Sequence, residues 1–265
     1  MSSPVALAVA AHPDDIELMM GGSLALLGDA GFETHYLNIA NGSMGTDHET
    51  REAIIARRTA EAREAAGVLG AVYHEPFVDD LDIFFDRELP RRVCSLIRRL
   101  RPRILLVQSP QDYMEDHTNA CRVAVSAAFY RGMTNYITMP DRPAIPDPVT
   151  IYHALPWGLH DTLRRRVRAG QYVDISSTIA RKRDALACHR SQKEWLDVSQ
   201  GLDSYLTTME DMSRAVGEMS RAFPFAEGWR RRLHLGYCGP DDDPLADALG
   251  DKHRIDPDYE AALEA

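Results

Sequence analysis

The chain has 265 residues, 45% of them hydrophobic and 26% charged, and a formal net charge of −10 at pH 7. This is the composition of a water-soluble globular chain, and so acidic a balance argues against nucleic acid or an anionic membrane as the main partner. No run approaches the ~20 apolar residues of a membrane span. Met1-Ser-Ser-Pro4 lacks the charged start of a signal peptide, and four scattered cysteines without a Cys-x-x-Cys read as free thiols of a cytoplasmic protein.

Val5–Ala11 is a short apolar run and predicts a buried strand. Ile16–Ala30 reads as a helix, Thr34–Ile39 as a strand, and Glu49–Leu69 as a long helix stopped by Gly70. Val72–His74 follows as a short strand, Leu89–Leu100 as a helix ended by Pro102, Ile104–Gln108 as an apolar strand, and Asn119–Arg131 as a helix. Alternating strands and helices predict an α/β fold: a Rossmann-like, mostly parallel sheet with helices on both faces in a single domain. Pro140, Pro143, Pro146 and Pro148 mark an extended loop within that domain, with a strand resuming at Ile151–Leu155. Val173–Thr178 reads as a strand end leading into a helix over Ile179–Ser191, and Tyr205–Ala222 as a further helix. Residues 1–240 are expected to form the domain and 241–265 a charged peripheral tail.

Two polar clusters carry the chemistry. His12-Pro-Asp-Asp15 follows the first strand, and Asp112-Tyr-Met-Glu-Asp-His117 follows the strand ending at Gln108. Parallel strands place such turns on one edge of a sheet, where open α/β proteins bind their ligands. His117 is therefore expected to meet His12 and Asp15. Two imidazoles and a carboxylate form a common catalytic zinc set, although iron, manganese and cobalt also accept such ligands. The turn lacks GxGxxG, which speaks against a dinucleotide site, and Asn41-Gly-Ser-Met-Gly45 lacks the pattern of a phosphate-binding loop. It reads instead as a loop facing the pocket.

Ala11-His12-Pro-Asp-Asp-Ile-Glu17 resembles the signature of the PIG-L/LmbE-like zinc-dependent N-deacetylases. Arg58-Thr-Ala-Glu61, Leu69-Gly70, Met114-Glu-Asp-His117 and the segment from Lys182 to Gln192 are similar to later family segments. The resemblance implies zinc on His12, Asp15 and His117, with Asp14 as general base for a metal-activated water that attacks an acetamide. It also implies that Asp116 acts beside them, orienting an imidazole or the base. The implied substrate is a small N-acetylated amino sugar or conjugate, or a larger N-acyl conjugate cut by an amidase; the Pro-rich loop could shape that choice. A homo-oligomer is the weaker expectation. One departure stands out: the family's usual histidine three residues before the last ligand is Met114 here. A catalytically impaired, ligand-binding member is the alternative that this departure allows. Tyr113, His153 and His189 are the candidates to replace the missing donor, and Arg58 is a candidate contact to the substrate.

Overall fold

The computed structural model describes residues 3–193 and 204–263. In β1 (Val5–Ala10) successive side chains point to opposite faces. Ala6, Ala8 and Ala10 enter the core on one face, while Leu7 and Val9 enter the core on the other. A strand buried on both sides needs helices on both sides. On the first face lie α1 (Asp15–Met19), α2 (Gly21–Asp29), α3 (Arg51–Leu69) and α6 (Ile179–Ala187). On the second lie α4 (Leu89–Leu100) and α5 (Glu115–Tyr130).

The remaining strands are β2 (Glu33–Asn38), β3 (Val72–His74), β4 (Ile104–Val107), β5 (Thr150–Ala154), β6 (Gln171–Asp174), β7 (Ala226–Arg231) and β8 (His253–Ile255). They form one sheet in the order β3-β2-β1-β4-β5-β7-β6-β8. It is parallel from β3 to β5 and antiparallel beyond. The chain leaves β1 toward β2 and β3, then returns to place β4 on the other side. The order thus reverses between β1 and β4, and a crevice opens there at the strands' C-terminal ends.

Several elements differ from their sequence-based expectation. The single helix expected over 16–30 breaks at Met20. Gly22 sits so close to the strand-end segment after β6 that an added Cβ would lie 2.6 Å from Ile175. The long helix keeps its expected end: Thr50 caps its start by accepting from the Ala53 amide, and Gly70 closes it at φ 77°. β7 escapes hydropathy reading because Ala-Glu-Gly-Trp-Arg-Arg looks polar. Its Glu227 is nonetheless buried, accepting from Lys182 Nζ at 2.6 Å and from the Gly22 and Ser23 amides at 2.8 Å each. The carboxylate caps α2 and pins it to α6.

Lys182→Met would leave that carboxylate buried without its counter-ion. Stability is expected to fall by about 3–5 kcal/mol, read from urea denaturation. A loss below about 1 kcal/mol would mean that the backbone donors alone hold Glu227.

The charged tail is not peripheral. Beyond α7 (Ser204–Ser220) and β7, α8 (Pro244–Leu249) buries Leu245 and Leu249 in the core of the first face. Asp243 accepts from the Tyr152 hydroxyl at 2.6 Å, and β8 pairs with β6 as the sheet's last strand. The terminal helix α9 (Pro257–Leu263) carries no buried residue. Charge density misled here because the tail's acids serve as caps and acceptors while its few apolar residues face inward. No helix among the described residues is long and apolar enough to cross a membrane.

Candidate active site

His12 follows β1, and His117 lies in the first turn of α5, which begins at Glu115 rather than Asn119. Asp15 is the first residue of α1. One ligand atom from each of the three lies within 4.8 Å of the others, and all three side chains are buried. Asp15 Oδ1 is 3.4 Å from His117 Nε2, and Asp15 Oδ2 is 3.6 Å from His12 Nδ1.

The outer nitrogens of both rings are tied to carboxylates. His12 Nε2 donates to Asp116 Oδ2 at 2.9 Å, and His117 Nδ1 donates to Asp112 Oδ1 at 2.9 Å. A carboxylate accepts only, so these nitrogens carry protons and turn His12 Nδ1 and His117 Nε2 toward the place a cation would take. Asp116 is buried, takes a second bond from the Leu81 amide at 2.7 Å, and reaches the site through His12 rather than through the cleft. Two imidazoles and a carboxylate so arranged suit a divalent transition metal. Burial opposes protonation of His12, but Asp116 and Asp15 outweigh it and hold its pKa up to about 10. Asp15 is the converse case. Burial would raise it, but His117 and His12 outweigh that and drive it well below the ordinary carboxylate range.

Asp14 faces another way. Its backbone sits at φ 113°, ψ −25°, a region that non-glycine residues seldom occupy. Such strain costs on the order of 1–3 kcal/mol and persists where the surroundings enforce it. The Asn38 side chain holds the carbonyl of His12 at 2.5 Å, and Arg58 Nη2 holds the carbonyl of Pro13 at 2.6 Å. Asp14 Oδ2 then receives the Tyr205 hydroxyl at 2.7 Å and lies 3.5 Å from Arg58 Nη2. Burial raises the carboxyl pKa of Asp14, with Arg58 opposing and Asp15 adding to the rise.

A cleft of about 420 Å³ opens over these groups. Asp14, Asp15, His12 and His117 lie in it, with Arg58, Tyr113 and Met114. Met44 and Gly45 bring in the glycine-containing loop, which Asp80 fastens by accepting from the Gly42 and Met44 amides at 2.7 and 3.0 Å. Tyr113 is 63% exposed and stands edge-on to the His117 ring at 5.5 Å, so it is a rim residue. Trp157 also lines the cleft, while Trp195 lies outside the described residues.

Two expected contacts are displaced. His153 is buried in β5 against Cys121 Sγ (3.4 Å) and the Gln108 carbonyl (3.2 Å), outside the cleft. Burial lowers its pKa to about 4, so it packs as a neutral ring. His189 is fully buried behind the cleft, 3.3 Å from Glu17. The Pro-rich loop contributes nothing to this cleft either; its Met139 and Pro140 line a different one. Sequence reasoning passed over Tyr205, which lies 191 residues from Asp14, and Asp112, whose role depends on the fold of its turn.

A doubly wound sheet with this three-ligand cluster, and a further carboxylate in the same cleft, fits the hydrolytic N-deacetylase class that the sequence motifs suggest. Comparison with known proteins agrees. The family model PIG-L, described as GlcNAc-PI de-N-acetylase, matches residues 7–129. Diacetylchitobiose deacetylase of Thermococcus kodakarensis is 31% identical over 230 residues, covering 84% of this chain and 81% of that protein. The chain therefore belongs to the PIG-L family. Among solved structures, N,N'-diacetylchitobiose deacetylase of Pyrococcus horikoshii shares the fold at a TM-score of 0.73 and 21% identity, covering 92% of this chain and 89% of its own. The 4-carboxy-2-hydroxymuconate hydratase of Pseudomonas putida superposes at 0.67 and 26% identity, covering 86% and 95%.

Proposed function

We propose that this protein hydrolyses the N-acyl amide of an amino sugar or amino-sugar conjugate, acetyl first, using one divalent metal, zinc first, on His12, Asp15 and His117. The observation that carries the reading is Asp14. It shares the cleft with the three-ligand cluster, is held away from it by a strained backbone, and is fastened by Tyr205. A site that only bound metal would need no such carboxylate, and the deacetylase relative supports the same chemistry.

When bound, the cation polarises the acyl carbonyl and acidifies the attacking water. Asp14 takes the proton from that water and returns it to the leaving nitrogen, and a raised pKa suits a group that must do both near neutrality. Asp116 and Asp112 keep His12 and His117 in the orientation the ligand set needs. Arg58 fixes the loop that carries the base; tied to Pro13, Asp14 and Asp80, it acts mainly within the protein.

The walls indicate the substrate's other end. Met19, Met44, Met114, Leu155 and Trp157 face the cleft, giving apolar surface beside the polar floor. We assign that surface to an apolar aglycone or acyl extension next to the reacting amide. Hydration of 4-carboxy-2-hydroxymuconate, the activity named for the Pseudomonas relative, would need cations to receive three carboxylates. Arg58, the only arginine or lysine among the described cleft residues, is already engaged. The site therefore favours amide hydrolysis.

The test is amine release from a panel of N-acetylated and longer N-acylated amino sugars, free and as aryl glycosides, with zinc-loaded and chelated protein. Zinc-dependent release, faster for aryl glycosides, is expected; no release from any member would sink the reading. Met114→His separates the remaining possibilities. If the missing donor limits the site, activity on simple N-acetyl sugars should rise about tenfold or more; a fall on aryl glycosides would show that the pocket is built around the methionine.

A further inference from the structure

A second cleft, of about 400 Å³, opens on the far edge of the sheet, between β3, α4 and the Pro-rich loop. The deacetylase reading does not use it. Tyr73, Phe77 and Leu96 give it an apolar surface, and its charged groups are Arg92, Arg99 and Arg142 against the single carboxylate Glu75. That carboxylate is ion-paired with Arg63. Among the described residues none of the three guanidiniums is ion-paired. Arg101, Arg181 and Arg190 hold acidic partners elsewhere, whereas among the described residues Arg122 and Arg164 do not, so what sets this cleft apart is that three guanidiniums meet in one place.

The cleft is also built. Arg99 Nη2 donates to His74 Nδ1 at 3.2 Å, and His74 Nε2 donates to His35 Nδ1 at 3.0 Å, with the two rings stacked. Burial, His35 and Arg99 together hold the pKa of His74 down to about 4, so the ring is neutral and can accept. Arg92 donates to the Phe77 carbonyl at 2.8 Å and lies over the Phe77 ring. The opposite wall is fastened from beneath. Arg98 is buried and donates to the carbonyls of Tyr130, Arg131, Met133 and Arg142, and the Ser95 hydroxyl donates to the Pro140 carbonyl at 2.6 Å. The backbone beneath the cleft and the Arg92 and Arg99 side chains are therefore placed before a ligand arrives.

We propose that this cleft binds a small phosphate-bearing molecule with an apolar or aromatic body. A guanidinium offers paired donors that match phosphate oxygens, and a dianion can use more than one of the three. The apolar surface then receives the body. The inference does not rest on the deacetylase reading.

The probes are inorganic phosphate and phenyl phosphate, titrated into the intact protein at low ionic strength, with and without zinc. Both are expected to saturate at one site per chain, phenyl phosphate more tightly, with affinity falling as salt rises. Tighter phenyl phosphate assigns the site to an esterified phosphate; equal affinities would leave only the free anion and remove the apolar body from the proposal. The double variant Arg99→Gln/Arg142→Gln should weaken binding about tenfold or more, leaving thermal stability and amine release unchanged. The proposal is overturned if neither probe saturates, if the double variant binds as the parent does, or if binding appears only with zinc. It is also overturned if the double variant changes the assembly's mass rather than its affinity, since the arginines would then serve contact between copies.

Discussion

Asp14→Asn should lower turnover by about 10²–10⁴-fold, the usual worth of a positioned general acid–base group, while the zinc content per chain stays at one. The amide is nearly the same size as the carboxylate and can still meet Tyr205 and Arg58, so the loop should hold. What it lacks is a site for the proton of the attacking water. Full activity would remove Asp14 from the reaction; loss of zinc along with activity would mean that it belongs to the metal set. Tyr205→Phe gives a finer reading of the same residue. The Tyr205 hydroxyl stabilises the ionised carboxylate and so lowers its pKa, against the rise caused by burial. Removing it should raise the pKa further, moving the acidic limb of kcat/KM to higher pH. The limb marks where the base becomes protonated as pH falls, so the variant loses activity first on that side and least at alkaline pH. A pH profile that keeps its shape, merely scaled down, would make Tyr205 a packing residue.

The residues whose placement was legible in the sequence share one property: their position follows from a short stretch of chain and a rule about parallel sheets. His12, Asp14 and Asp15 are adjacent, and the turn after β4 had to open on the same edge as the turn after β1. His117 follows from that geometry, and the cluster forms as expected. The residues read wrongly are settled by packing that no local pattern encodes. His153 and His189 carry the right chemistry, but neither lines the cleft: β5 turns the first ring toward Cys121, and the second is buried beside Glu17. Tyr205 looked like the start of an ordinary amphipathic helix, and only the approach of α7 to the turn after β1 gives its hydroxyl a partner. β7 hid because its one buried charge is matched by Lys182, a pairing across 45 residues that a hydropathy reading scores as two polar positions.

His117→Ala should abolish zinc binding at stoichiometric concentrations and with it all amine release, whereas His153→Ala, equally buried but outside the cleft, should leave the zinc content of the folded protein unchanged. The contrast rests on geometry: His117 Nε2 points at Asp15 with its other nitrogen fixed by Asp112, while His153 has only Cys121 beside it and belongs to no three-ligand group among the described residues. Asp116→Asn is the intermediate case. It keeps all three ligands but weakens the acceptor that orients His12, and losses of about 10–100-fold in metal affinity are usual for such partners. The same geometry fixes a pH dependence. With His12 held at about 10 by its carboxylates, the ring is protonated near neutrality, and a cation must displace that proton to reach Nδ1. Zinc affinity should therefore rise with pH up to about 10 and fall as pH drops. Calorimetric titration in two buffers of different ionisation enthalpy should show about one proton released per zinc bound. Asp116→Asn should also reduce that release, because the neutral amide no longer favours the protonated ring. No proton release, with zinc still bound, would mean that His12 is neutral before the metal arrives or does not carry it.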